Sequence, residues 1–145
     1  MKKLSLLILS VMLVISCSKD NKQAQILDGT WNLDKWSWEG KDTIVSGSFS
    51  GTTGTWIFTA CKAANNNCSG TVNNFADSNA DEKISWYIRE KGTRFTMVPD
   101  NAGTPLGNLG GEWEILELSE QQFILTSQTC GSCNTTGKSR LEFSK

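Results

Sequence analysis

The chain contains no histidine, only two prolines and almost no net charge. Without histidine there is no Ser-His or Cys-His catalytic pair, no histidine general base and no histidine metal ligand. The 14 lysines and arginines nearly balance the 15 aspartates and glutamates, and the formal net charge of -1 excludes the basic footprint of a typical nucleic-acid-binding protein. The 145 residues are enough for one domain of ordinary size. We therefore expect neither a histidine-dependent enzyme nor a nucleic-acid partner.

The N-terminus has the pattern of an export signal. Lys2 and Lys3 precede an apolar stretch, residues 4–15, that only two serines interrupt. These twelve residues are too few to span a bilayer as a helix, but they have the length of a signal-peptide core. The stretch ends with a small residue and a cysteine, Ser16-Cys17, and this ending resembles the bacterial lipobox.

The lipobox resemblance implies a lipoprotein. It implies cleavage before Cys17 and acylation of the Cys17 thiol with chains such as palmitate, and two or more such chains hold a protein stably at a membrane. Residues 1–16 are then the signal peptide, residues 17–27 the lipidated N-terminus with a polar tether, and residues 28–145 the folded domain. Ser18, which stands where an inner-membrane retention signal would have Asp, favours the outer membrane, on its periplasmic or cell-surface face.

The rest of the chain has the pattern of a β-protein. Short runs rich in Trp, Phe, Ile, Val and Thr are separated by Gly, Asn, Asp and Ser, as in strands joined by turns. Ile84, Trp86 and Ile88 alternate with polar residues, and hairpin turns are predicted at 91–92 and 119–121. Sequential hairpins with one apolar face predict an all-β fold, a small up-and-down antiparallel β-barrel of about eight strands. The predicted strands are Gly29–Trp38, Thr43–Phe49, Gly54–Cys61, Cys68–Phe75, Lys83–Glu90, Thr93–Val98, Glu112–Leu118, Gln122–Thr129 and Lys138–Ser144.

Two segments carry a resemblance to a known family. Residues 28–33 resemble the Gly-x-Trp start of lipocalins, with Gly29 and Trp31 as the matching pair, and residues 113–123 resemble their penultimate hairpin. Short lipoproteins of the Bacteroidetes with lipocalin-like domains begin in this way. The resemblance implies that Trp31 packs at the closed end of the barrel beneath an arginine from the last strand, for which Arg140 is the candidate.

A barrel of this size is either filled by its own side chains or holds one small ligand. A large set of aromatic residues could line a pocket for a small hydrophobic ligand, or could pack together as a core. We predict ligand binding; the alternative is a filled barrel that acts as a non-catalytic surface interaction or structural module through loops such as Pro99–Gly111. The candidate ligand-binding residues are Trp36, Trp38, Trp56, Phe58, Trp86, Phe95, Trp113 and Phe123.

Four cysteines remain besides Cys17. Export favours disulfides, and the short spacings favour local bridges, Cys61–Cys68 across the base of a hairpin loop and Cys130–Cys133 in a tight turn. Cross-pairing between the two loops is the main alternative. A four-cysteine zinc site fits poorly because Cys-x6-Cys is not a zinc-knuckle spacing, and a redox CxxC fits poorly because a loop, not a helix, follows it.

The last two sequence observations concern modification and catalysis. Asp42-Thr43-Ile44 resembles the O-glycosylation signal of Bacteroidetes, which implies a glycan on Thr43. No pair of carboxylates stands out as a general acid and base, so we expect no enzymatic activity, no cofactor and no metal. The expected partners are the membrane, through the lipid anchor, and a small hydrophobic ligand.

Overall fold

A computed structural model describes residues 19–39, 41–42, 53–61, 67–77, 80–129 and 136–145. Within these ranges the chain forms nine β-strands, a helix over residues 19–27 (α1) and two short 3-10 helices, Phe75–Asp77 and Pro105–Leu109. The strands are β1 (Gly29–Trp38), β2 (Lys41–Asp42), β3 (Thr55–Thr59), β4 (Cys68–Asn73), β5 (Glu82–Arg89), β6 (Arg94–Pro99), β7 (Gly111–Leu118), β8 (Gln122–Thr129) and β9 (Thr136–Ser144).

Eight of the described strands close into a barrel. Neighbours pair antiparallel in the order β1-β3-β4-β5-β6-β7-β8-β9, and β1 pairs also with β9. The two residues of β2 extend only the end of β1, at Ser37 and Trp38. Register shifts in β1, β7 and β8 mark the irregularities that help a sheet to bend and close. The predicted up-and-down barrel is confirmed, and the predicted strands in the described ranges agree with the observed ones to within two residues at each end.

The β5–β6 hairpin shows how the local sequence produces this fold. Ile84, Trp86 and Ile88 are buried on one face of β5, as their alternation predicts. The chain then reverses through Glu90, Lys91 and Gly92, which all have positive φ angles. At Gly92 the φ angle of +80° favours glycine, and an added side chain would also displace the flexible end of Gln23 from α1.

The barrel has two different ends. The first end contains the start of β1, the end of β9 and the β5–β6 and β7–β8 turns. The helix α1 packs against this end, where Lys145 Nζ donates to the Ile26 carbonyl oxygen at 3.2 Å. We call it the helix-covered end. The opposite end carries the connections 74–81 and 100–110, each with a 3-10 helix, and we call it the loop-bearing end.

The N-terminal segment differs from its prediction. The sequence predicts a polar tether up to Leu27, but residues 19–27 are helical and bury Ala24 and Leu27 against the barrel core. This helix is a feature that the sequence pattern did not reveal. The predicted strand Thr43–Phe49, the predicted glycan on Thr43 and the predicted Cys130–Cys133 bridge lie outside the described residues.

Candidate functional site

The barrel interior is the candidate site, and aromatic rings occupy it. Phe58 lies at the centre, with its ring centroid 5.7–6.4 Å from those of five other aromatic side chains. Four of these five contacts are edge-to-face, the geometry that aromatic rings favour in protein cores. Some of the surrounding rings lie closer to one another, and the ring centroids of Phe95 and Phe123 are 5.3 Å apart. The five neighbours of Phe58 are Trp56, Trp86, Phe95, Phe123 and Phe143.

The tryptophans of the core use their indole donors within the protein. Trp56 Nε1 donates to the Thr53 carbonyl oxygen at 2.9 Å, and Trp86 Nε1 donates to that of Ser69 at 2.9 Å. A ligand site needs a few convergent polar groups to orient its occupant. Because these N–H groups already bond to the backbone, they do not provide that orientation.

The helix-covered end is closed by α1. Leu27 and Trp31 are both fully buried, and Trp31 Nε1 donates to the Leu27 carbonyl oxygen at 2.8 Å. The ammonium group of Lys145 lies 4.9 Å from the centre of the Trp31 ring and donates to the carbonyl oxygen of Asp28 at 2.8 Å. A cation over an indole face is a favourable contact, so Lys145 stabilises the start of β1.

Trp31 and Arg140, the pair that the resemblance implies at the closed end, lie apart in the structure. The cation over the Trp31 ring is that of Lys145. Leu141 and Phe143 are buried inside the barrel, so the alternation of β9 turns Arg140 to the outer face. There its Nε donates to Glu142 Oε1 at 2.8 Å.

Two 3-10 helices bury apolar side chains at the loop-bearing end. Phe75 is fully buried and packs edge-to-face on Trp56, with centroids 5.7 Å apart. Leu106 and Leu109 are buried as well, and the Leu109 carbonyl oxygen accepts a hydrogen bond from Trp113 Nε1 at 3.0 Å. Each end therefore has a leucine plug whose carbonyl oxygen binds the indole of a tryptophan four residues later.

The structure brings six of the eight candidate ligand-binding residues into one buried cluster. The other two, Trp36 and Trp38, are half-buried near the end of β1, toward the loop-bearing end. Trp36 packs against the core, and its Nε1 lies 3.3 Å from the Ser139 hydroxyl oxygen, to which it donates. The six buried residues are Trp56, Phe58, Trp86, Phe95, Trp113 and Phe123.

Two open hollows lie on the outside of the described part of the barrel. One, of about 340 Å³, lies beside the loop-bearing end and is lined by polar residues that include Asp81, Glu82, Lys83 and Asp100. The other, of about 490 Å³, lies at the helix-covered end. Among the described residues, no group of three or more His, Cys, Asp or Glu is placed to hold a metal ion.

The Cys61–Cys68 disulfide is present as predicted. It joins the end of β3 to the start of β4, with the two Cα atoms 5.0 Å apart. In the chain-entropy account, closing so short a loop removes about 2.5 kcal/mol of conformational freedom from the unfolded state. The bridge therefore stabilises the hairpin next to the helix-covered end.

We expect the double substitution Cys61→Ala with Cys68→Ala to lower the free energy of unfolding by about 2.5 kcal/mol. Urea denaturation followed by tryptophan fluorescence measures this change as a lower midpoint. The matched control is Ser69→Ala, an exposed position on the same strand, which should shift the free energy of unfolding by less than about 0.5 kcal/mol. An unchanged midpoint in the double variant would show that the bridge does not stabilise the fold.

Several residues that shape the site have no strong signal in the sequence. The two plugs, Leu27 and Leu109, lie in segments that look like a tether and a loop. The sequence does contain one signal for them, because each leucine stands four residues before a tryptophan near the start of a strand, Trp31 in β1 and Trp113 in β7. Lys145 has no such signal, since a lysine side chain ordinarily extends into solvent.

Among the described residues, no helix has the length and apolar character needed to cross a membrane. The chain was also compared with known proteins, and neither the models of protein families nor the curated proteins gave a match.

Proposed function

We propose that this chain is an exported lipoprotein, held by acyl chains on Cys17 at the bacterial outer membrane, whose filled barrel acts as a non-catalytic interaction or structural module. The second half of this proposal is supported by the close packing of aromatic side chains in the described interior of the barrel. The first half depends on the N-terminal sequence, in which a basic start, an apolar run of twelve residues and Ser16-Cys17 follow one another.

The filled barrel accounts for the interior better than ligand binding does. A small-molecule pocket typically has a volume of about 300–1,000 Å³ and buries most of its ligand. Here the ring of Phe58 occupies the centre of the described interior, and Leu27 and Leu109 are buried towards its two ends. A hydrophobic ligand would have to displace a plug and then separate rings that already contact one another.

The outer surface of the barrel carries exposed charges. Two of its described ion pairs join neighbouring strands, Lys35 with Glu142 at 3.8 Å and Arg94 with Glu112 at 4.0 Å. These are exposed pairs that maintain a solvated face. The connections at the loop-bearing end provide a polar surface of the kind on which binding residues are commonly carried.

The lipid anchor is tested at Cys17. In cells grown with an alkyne analogue of palmitate, we expect the wild-type chain to take up the label and the Cys17→Ser chain to lose it completely, because only a thiol accepts the diacylglyceryl group. Mass spectrometry of the N-terminal peptide should show that the wild-type chain begins at an acylated Cys17.

The matched control is Ser18→Ala, a change at the neighbouring position that leaves the thiol in place. Its labelling should equal that of the wild-type chain. Label that persists in the Cys17→Ser chain, or its absence from the wild-type chain, would refute the lipoprotein assignment.

A further inference from the structure

We propose that the helix-covered end is the face of the barrel that lies against phospholipid headgroups, so that the loop-bearing end points away from the membrane towards partners. This inference rests on the proposed lipid anchor at Cys17 and adds an orientation to it. It is carried by the position of α1, by the contacts that fix α1 to the barrel and by the number of residues between the anchor and the helix.

The distance from the anchor to the helix is short. The described part of the helix starts at residue 19, two positions after Cys17. Two residues span at most about 7 Å even when fully extended. A chain acylated at Cys17 therefore holds the start of α1 within a few ångströms of the headgroups, whatever conformation the intervening residues adopt.

The helix is in turn fastened to the barrel. Ala24 and Leu27 are buried in the core cluster, and the Leu27 carbonyl oxygen accepts the hydrogen bond from Trp31 Nε1. Lys145 Nζ donates to the carbonyl oxygens of Ile26 and Asp28 at 3.2 and 2.8 Å. Swinging the barrel away from the helix would break these contacts, so the orientation of α1 is also the orientation of the barrel.

The helix-covered end also has the chemistry of a headgroup-facing surface. Its hollow of about 490 Å³ is lined by Lys22, Gln25, Ile26, Glu120 and Lys145. The ammonium group of Lys22 is suited to phosphate oxygens, whereas that of Lys145 already donates to two backbone carbonyl oxygens. The amide and the carboxylate suit a hydrated, zwitterionic layer. Since cations and carboxylates are mixed here, we attribute the orientation to the short connection and not to net charge.

The orientation assigns roles to the two ends. The long axis of the barrel, set by strands of eight to ten residues such as β1 and β5, places the opposite end on the order of 20–30 Å farther from the headgroups. The connection 100–110 and the polar hollow beside Asp81 and Asp100 then face outwards. A partner approaching the membrane would meet that end first.

The experiment compares one position at each end in the full, lipidated chain. Glu120→Cys and Asn101→Cys are both at exposed positions, in the β7–β8 turn and in the connection after β6. Each variant is made in a chain in which Cys130 and Cys133 are replaced by Ser, and is labelled with a fluorophore while the Cys61–Cys68 disulfide is kept oxidised. It is then reconstituted in phosphatidylcholine vesicles that carry nitroxide-labelled headgroups. We expect several-fold stronger quenching at position 120 than at position 101.

A linker variant provides the control. Twenty Gly and Ser residues inserted between Ser18 and Lys19 keep the lipid and the fold but allow the barrel to turn freely, so the difference between the two positions should nearly disappear. Equal quenching at both positions without the insertion, or stronger quenching at 101, would overturn the orientation. An undiminished difference in the linker variant would overturn the argument from the short connection.

The anchor and the orientation fail separately in this experiment. The mass of the N-terminal peptide shows whether Cys17 carries its lipid before the vesicles are made. A chain that never receives the lipid contradicts the proposed function, whereas a lipidated chain with equal quenching contradicts only the orientation.

Discussion

Replacing Phe58 with alanine is expected to lower the free energy of unfolding by about 3–5 kcal/mol, the usual cost of removing a fully packed aromatic ring. Phe58 contacts five other aromatic side chains and is almost completely buried. Its loss leaves a cavity at the point where these rings meet, and rings held by rigid strands cannot collapse into it. Urea denaturation followed by circular dichroism measures the change.

The matched control for Phe58→Ala is Thr59→Ala, an exposed position on the same strand. We expect that control to change the free energy of unfolding by less than about 0.5 kcal/mol. A Phe58→Ala chain as stable as the control would mean that the interior is loosely packed. The filled-barrel account would then lose its main support.

Leu27→Ala is expected to cost about 2–5 kcal/mol, because Leu27 is fully buried and closes one end of the barrel. The substitution removes the apolar plug above Trp31 while leaving the backbone carbonyl that accepts the indole hydrogen bond. The loss should therefore appear as lower stability together with greater solvent exposure of Trp31. Denaturant unfolding measures the first, and acrylamide quenching of native tryptophan fluorescence measures the second.

Gln25→Ala is the matched control for this plug, since Gln25 is an exposed residue of the same helix. Alanine is the better helix former, so we expect no loss of stability and unchanged quenching. If Leu27→Ala behaves in the same way as Gln25→Ala, the helix does not close the barrel in solution. That result would also remove one of the contacts on which the proposed membrane-facing orientation depends.

The strands could be predicted from the sequence because their signals are local. In β5 the alternation of Ile84, Trp86 and Ile88 produces a buried face directly, and the turn at Gly92 follows from the need for positive φ angles. Sequential hairpins then favour a closed barrel. The pairing of β1 with β9 joins residues more than a hundred positions apart, and it follows from the fold class without any local signal.

The helix and the closed ends could not be predicted in the same way. Residues 19–27 are mostly polar, with only Ala24 and Leu27 fully buried, so no amphipathic period stands out. A helix this short is stabilised by its tertiary contacts and not by its own propensity. The same holds for Leu106 and Leu109, which lie in a stretch whose composition is typical of a loop.

At the candidate site, composition predicts which residues are buried but not whether they leave a cavity. The sequence predicts that Trp56, Phe58 and Trp86 belong to an aromatic set inside the barrel, and all three are buried in the structure. Whether such rings line a cavity or fill it depends on distances between strands that are far apart in sequence. The observed centroid separations of about 5–6 Å provide the missing information and favour a filled interior.

The central claim is that the barrel interior is full, and a titration of the folded chain with apolar ligands tests it most directly. Tryptophan fluorescence reports on the site, because four of the core indoles lie within the barrel. With a panel of a long-chain fatty acid, a retinoid, haem and the dye ANS, we predict no saturable change in fluorescence. Saturable one-to-one binding of any of them, weakened by Trp86→Phe and not by the surface substitution Thr96→Ala, would contradict the account.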